Sequence, residues 1–256
     1  MPKFFVTSDI HSFYTELITA LYKAGFDEKN EDHWLVVCGD CFDRGAESNK
    51  VYKFLRDLPR KVLIKGNHEQ LLIDCCMRGF PYSHDISNGT AQTIWDMGYG
   101  LEFEDMCSYT LAKVKPFIAG MVNYFETKNY IFVHSWIPVI NKDGLPAHYT
   151  TGRSFDFNPD WRNASQEEWR DATWGNPFNM AARGLLPDKT VVFGHWHCST
   201  GWANAEGRSE FGTDAKFDPY YGDGFIAIDA CTAHSHKCNV IVIEDDFLEA
   251  NNEHGI

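Results

Sequence analysis

Five times along this chain a short apolar run breaks off at an aspartate, histidine or asparagine. Residues 4–6 lead to Asp9 and His11, residues 34–38 to Asp40, and residues 62–64 to Asn67 and His68. Residues 130–133 stop at His134, and residues 191–193 open into Gly194-His195-Trp196-His197. Apolar runs of this length, bounded by polar and turn residues, read as buried strands. Helical spacing lies between them. Tyr14, Leu17, Ile18, Leu21 and Tyr22 share one helix face ended by Gly25, and Val51, Tyr52 and Leu55 face inward on a helix stopped by Pro59. Such a chain folds as α/β, where ligands bind beyond the carboxyl ends of the strands. Side chains far apart in sequence therefore meet there.

The rest of the chain is less explicit. A helix should run from Glu69 to Gly79, with others near residues 91–97 and 109–125 and a turn at Asn88-Gly89. No polar constellation is legible in those two later helices. Residues 135–188 carry Trp136, Trp161, Trp169 and Trp174 among charges, prolines and glycines, and so long an irregular stretch reads as a functional rim or lid. Two last strands, residues 225–228 and 240–243, flank Asp229 and His234, and the acidic tail after Glu244 should be frayed. No linker divides the 256 residues, so a single domain is expected.

Charge narrows the partners. Twenty-three basic against 36 acidic residues give a net charge of -13, which argues against a sequence-independent grip on a nucleic-acid polymer. A small phosphorylated substrate stays open, because bound cations can reverse the local field. No apolar run is long enough to span a membrane, and the N-terminus has no leader pattern, so the expected setting is cytoplasmic. The eight cysteines would then be reduced thiols. Cys38 and Cys41 have Cys-x-x-Cys spacing, but no second pair accompanies them and a redox or zinc role is disfavoured.

The converging set is rich in imidazole and carboxylate and has no positioned thiolate, which suits manganese, iron, zinc or nickel. Four histidines, two aspartates and one asparagine are too many ligands for one ion and enough for two that share a carboxylate. Asp40, in the turn Gly39-Asp40-Cys41-Phe42-Asp43-Arg44-Gly45, is the natural bridge.

These motifs resemble the calcineurin-like metallophosphoesterase superfamily: Asp9-x-His11, Gly39-Asp40-x-x-Asp43-Arg44-Gly45, Gly66-Asn67-His68-Glu69, His134 and Gly194-His195-x-His197. The Asp43-Arg44-Gly45 ending resembles its phosphoprotein phosphatase branch, which includes bacteriophage lambda phosphatase and diadenosine-tetraphosphatase relatives. The resemblance implies a four-layer sandwich, two mixed β-sheets flanked by helices, with two divalent ions, manganese first, at the strand ends. It implies Asp9, His11 and Asp40 on one ion and Asp40, Asn67, His134 and His195 on the other, with His197 as a further ligand of the first. Such ions lower the pKa of a water placed between them and present hydroxide in line with phosphorus. His68 would protonate the leaving oxygen, Asp43 would orient His68, and Arg44 would clamp phosphate oxygens. A plain Asp43–Arg44 ion pair is the alternative for both of those residues.

The substrate is where the chain departs from the family. Lys65 stands where relatives carry a phosphate-binding arginine, keeping the charge without the planar fork. Asn176, in Trp174-Gly175-Asn176-Pro177, replaces a second clamping arginine that Arg170 or Arg183 would have to supply, and Ser135-Trp136 replaces smaller residues after His134. Lys65 and Asn67 join Arg44 as expected substrate contacts. The leading expectation is a serine/threonine protein phosphatase. The alternatives are a nucleotide phosphohydrolase or phosphodiesterase, acting on a dinucleoside polyphosphate or cyclic nucleotide, and a non-catalytic regulator that binds metal or phosphate. His33, His84, His148, His234, His236 and His254 read as surface or internally satisfied residues, and the four tryptophans as packing.

Overall fold

Side-chain alternation along the strands decides the layering. In a strand, neighbours in sequence point to opposite faces, and both faces here are apolar, as buried parallel strands require. A computed structural model describes residues 1–98, 100, 102–142 and 155–248. Strands β1 (Lys3–Thr7), β2 (His33–Cys38) and β3 (Lys61–Ile64) are parallel neighbours, and β11 (Ile241–Glu244) runs antiparallel on the outer edge of β1. In the second sheet β5 (Tyr130–Val133), β8 (Thr190–Phe193) and β10 (Phe225–Ala227) are parallel, and β4 (Tyr124–Glu126) and β9 (Tyr220–Gly222) are antiparallel edges, giving the order β4-β5-β8-β10-β9.

The two sheets pack face to face. Phe4, Val6, Val36, Val62 and Ile64 of the first meet Phe125, Phe132, Val192 and Ile226 of the second. The alternate residues Phe5, Leu35, Val37 and Leu63 turn outward beneath a helical layer. That layer contains α1 (Tyr14–Lys23), α2 (Ser48–Asp57), α3 (Asn67–Arg78), α4 (Ser83–Asn88), α5 (Thr90–Met97) and α6 (Phe103–Ala119). On the far side Ile131, Val133, Val191 and Phe193 turn toward α7 (Gln166–Ala172), α8 (Pro177–Ala182) and α9 (Cys198–Glu206). Helix, sheet, sheet, helix is the expected four-layer arrangement. A two-stranded sheet, β6 (Ile140–Asn141) with β7 (Phe155–Asp156), a 3-10 turn over Trp161–Asn163 and the short α10 (Thr232–Ser235) complete the described elements.

Three expectations need correction. The helix placed over residues 109–125 begins at Phe103 and ends at Ala119 with Gly120 as its cap, so Phe125 is on edge strand β4 and stacks on Phe132. Tyr22 sits on the open side of α1 and is 70% exposed. Of the acidic tail, residues 245–248 are anchored, since Asp245 accepts from Thr127 and the Asn129 amide and Phe247 packs edge-on against Phe4, and residues 249–256 lie outside the described residues.

The tryptophans of the rim behave as packing at three positions. Trp136, Trp161 and Trp169 are buried, and Trp169 stacks on Tyr124. All eight cysteines are free. Among the described residues no helix is long and apolar enough to cross a membrane.

Candidate metal centre

The first-sheet and second-sheet strand tips are stitched together where β1, β2, β3, β5 and β8 end. The amides of Asp9 and His11 donate to the carbonyls of Gly39 and Asp40, and the Gly194 amide donates to that of His134. The His195 amide donates to Oδ2 of Asp9 at 2.8 Å, linking the two sheets directly. Asp9, His11, Asp40, Asp43, Arg44 and His195 all adopt positive φ, between 47° and 75°, which swings each side chain off the line of its strand. Glu69, with no solvent exposure, ties the β2 and β3 tips together. Its carboxylate accepts from the amides of Asp40 at 3.0 Å, Cys41 at 2.8 Å and Gly66 at 2.8 Å.

Two donor groups result, and Asp40 belongs to both. Ligand atoms of His11, Asp40 and His68 lie within 4.8 Å of one another, as do those of Asp40, His134 and His195. Asp9 joins the first group, its Oδ1 3.8 Å from Nε2 of His11. Asn67 joins the second, its Oδ1 2.8 Å from Nε2 of His134.

The tautomers test whether cations fit. His11 gives its Nδ1 proton to the Phe42 carbonyl at 2.9 Å, and His134 gives its own to the Cys38 carbonyl at 2.9 Å. A neutral imidazole has only one N–H, so a neutral ring anchored in this way turns a lone pair inward. Nε2 of His11 is buried without a hydrogen-bond partner and faces carboxylate oxygens of Asp9 and Asp40 at 3.8 and 3.7 Å. Nε2 of His134 faces Oδ1 of Asn67 and, at 3.2 Å, Nδ1 of His195. Acceptors crowded against acceptors need positive charge between them, and carbonyl-anchored imidazoles are the usual support of metal ligands.

The electrostatics agree. Burial, with Asp229 and Asp40 nearby, pushes the Asp9 carboxyl well above its ordinary range. Burial would raise Asp40 too, but the surrounding imidazoles, His134 and His68 foremost, outweigh it and hold the carboxyl well below the usual range. Burial and the neighbouring His134 bring His195 down to about 3, and burial with the Arg44 charge lowers His11 strongly. Both rings are therefore neutral, the form that binds metal.

Beside this centre lies a hydrogen-bonded pair, His68 and Asp43. Nδ1 of His68 donates to Oδ2 of Asp43 at 2.7 Å, and Nε2 of His68 is 3.9 Å from Oδ2 of Asp40 and 3.5 Å from Nη2 of Arg44. Burial would lower the imidazole, but the Asp40 charge and the Asp43 bond outweigh it and the net shift is upward. Asp43 thus faces His68 rather than forming an ion pair with Arg44, whose side chain is exposed at the mouth of the site.

The other expected residues separate. Lys65 lines a cavity of about 450 Å³ together with Gly66, Gln70, Asn123, Arg170 and Thr173. Asn176 is occupied as the cap of α8, its Oδ1 accepting the Asn179 amide, and Arg183 lies over the Phe155 ring. His197 sits outside the two donor groups, its buried Nδ1 without a hydrogen-bond partner and 3.7 Å from Glu210. His33 accepts the Asp27 amide, and His84, His234 and His236 are exposed. His148 and His254 lie outside the described residues. Three further buried groups at the centre lie outside the expected set: Asp229, which adds negative charge beside Asp9, and Thr90 and Thr93, whose hydroxyls hold Asp43.

Residues 2–238 match the family described as calcineurin-like phosphoesterase. A symmetrical bis(5'-nucleosyl)-tetraphosphatase of Hamiltonella defensa is 33% identical over 232 residues, covering 77% of this chain and 84% of that protein. Its counterpart in a Buchnera aphidicola strain is 39% identical over 74 residues, which spans 28% of this chain and only 26% of the relative's length. Among solved structures, a candidate diadenosine tetraphosphatase superposes with a TM-score of 0.51 at 16% identity, covering 97% of both chains. A cold-active protein-tyrosine phosphatase from a Shewanella species gives 0.52 at 15% identity, over 95% of this chain and 76% of that one. At such identities these two likenesses concern the fold.

Proposed function

Because this chain belongs to the calcineurin-like phosphoesterase family and is a metal-dependent phosphoesterase, we propose that it hydrolyses dinucleoside polyphosphates. One observation carries the choice of substrate: the relative that aligns over most of both chains is named a bis(5'-nucleosyl)-tetraphosphatase. The serine/threonine phosphatase reading rests on the Asp43-Arg44-Gly45 ending alone, so the nucleotide alternative ranks above it. The enzyme family also sets aside a purely regulatory module.

Asp9, His11 and Asp40 would hold one divalent ion, and Asp40, Asn67, His134 and His195 the other. His197 is proposed as a further ligand of the first, its buried Nδ1 having no competing hydrogen bond. A donor set of carboxylate, imidazole and amide without thiolate suits manganese, iron, zinc or nickel, and manganese is the ion proposed. When bound, such ions supply positive charge to the phosphoryl oxygens and lower the pKa of a nearby water.

The remaining work falls to the chain's own side chains. Arg44, exposed and adjoining His68, grips phosphoryl oxygens with its planar fork. Asp43 holds His68 at Nδ1, which leaves Nε2 to deliver a proton to the departing oxygen. Lys65 and Arg170, in the cavity walled by Gly66, receive the phosphates beyond the one attacked. Among the described residues no carboxylate pairs with either of these cations. Eight free thiols suit a reducing, cytoplasmic setting.

The test is an assay of the manganese-loaded protein on diadenosine tetraphosphate, a phosphoserine peptide and p-nitrophenyl phosphate, with products separated by chromatography. Cleavage of the dinucleotide to two molecules of ADP, at higher kcat/KM than the peptide, is the expected result. Turnover of the peptide with the dinucleotide left intact would reverse the ranking.

A further inference from the structure

The Asp43 carboxylate has no solvent exposure, and three donors hold it. Nδ1 of His68 and the Thr90 hydroxyl both donate to Oδ2 at 2.7 Å, and the Thr93 hydroxyl donates to Oδ1 at 3.1 Å. Thr93 is engaged from its other side as well. Its oxygen accepts the Asp43 amide at 2.9 Å and lies 3.4 Å from the Ser48 hydroxyl, which can donate to it. A hydroxyl has one proton to give and two lone pairs to offer, and this geometry uses all three at Thr93. Thr90 and Thr93 are themselves fully buried, at the start of α5. Gly89 makes the approach possible: its φ is +85°, and a Cβ there would stand 2.2 Å from the Arg44 nitrogen.

We propose that Thr90 and Thr93 are positioning residues for the leaving-group proton, acting through Asp43 on His68. A carboxylate held by one imidazole can pivot and carry the ring with it. One whose two oxygens are separately bound is fixed in plane and direction, and so is the Nε2–H vector of His68. General acids need that alignment at the departing oxygen. The inference rests on His68 as the acid, the role assigned above.

The test uses metal-loaded protein and two small esters that differ in their need for a proton. Phenyl phosphate expels a strongly basic phenoxide, and p-nitrophenyl phosphate a weakly basic one. Thr90→Val and Thr93→Val preserve shape and delete the hydroxyls. Each should lower kcat on phenyl phosphate by roughly tenfold or more while changing the nitrophenyl ester by less than about threefold, as expected for a misaligned acid. Bound metal should be unchanged, and Thr90→Ser and Thr93→Ser should restore the wild-type ratio. In metal-free protein the His68 Nδ1 proton should give a protected downfield resonance that Thr90→Val makes exchange faster.

Equal losses on both esters, or no loss, would overturn the proposal. Thr93→Val also strips the partner from the Asp43 amide; if it fails to fold, Thr90→Val decides, since among the described residues that hydroxyl bonds only the carboxylate. His68→Asn is measured beside them. No ester selectivity in His68→Asn refutes the acid, whereas selectivity there without it in Thr90→Val refutes the positioning alone.

Discussion

Gly66 and Asp40 are so close that a Cβ on the glycine would stand 2.1 Å from Oδ1 of the aspartate and 2.6 Å from its amide nitrogen. The carboxylate shared by both donor groups thus lies directly against bare backbone from the next strand tip. That contact also makes Gly66 a common wall between the metal centre and the cavity that contains Lys65 and Arg170.

Gly66→Ala should accordingly displace Asp40. The expected outcome is a loss of about 1–3 kcal/mol of stability from overpacking, together with loss of both bound metals. Calorimetry and metal analysis of the purified variant check it. An alanine variant that retains two metals at full occupancy would show that the loop relaxes without moving the bridge.

Removing the metals should destabilise the protein, because Asp9, Asp40 and Asp229 are then left buried and mutually repelling. A ligand present at about 100 times its Kd stabilises by about 2.7 kcal/mol, which in a chain of this size corresponds to roughly 5–11 °C in Tm. Chelation should lower Tm by that order. Asp40→Asn should show neither the metal nor the chelator-dependent shift, read by thermal scans with and without chelator.

Lys65→Ala and Arg170→Ala should each raise KM for diadenosine tetraphosphate by roughly 10- to 100-fold, the worth of one charge-assisted hydrogen bond. On p-nitrophenyl phosphate, which has no further phosphates to reach the cavity, KM should change little. Steady-state kinetics on the two substrates separates this from a general loss of activity.

A pH effect is expected far from the centre, at Glu126. Burial would raise this carboxyl, but hydrogen bonds from Arg162 and Lys189 outweigh it and hold it below the usual range. The unfolded chain then binds protons more readily than the folded one. The pair's stability is therefore complete above the ordinary glutamate value of 4.5 and is lost as pH falls below it. Glu126→Gln should cost about 1–2 kcal/mol at neutral pH, allowing for the partly exposed Arg162. It should also flatten the decline in Tm between about pH 5 and pH 3.

Much of the centre was legible because its residues lie immediately after strands. Asp9, His11, Asp40, Asn67, His134 and His195 are fixed by the ends of apolar runs, and parallel pairing forces those ends to one side. Thr90 and Thr93 were not legible. They lie 47 and 50 residues from the carboxylate they hold, on a helix whose sequence pattern records only which face is apolar. Asp229 also follows an apolar run, but its weight comes from proximity to Asp9 across the two sheets, which the run does not record. The misplaced end of α6 had a local signal. Gly120 marks a stop, and the apolar Val122 and Phe125 beyond it fit a helical spacing although their packing belongs to a bridge and a strand.

The left-handed backbone at Asp9, His11, Asp40, Asp43 and His195 has a consequence for robustness. Aspartate and histidine tolerate that conformation better than most residues, yet such positions still cost of order 1–3 kcal/mol each. A glycine at Asp43 or His195 would relieve the backbone while deleting the chemistry. Selection of variants for heat tolerance alone would therefore erode these tips first, and the hardiest descendants of this chain would be its least active ones.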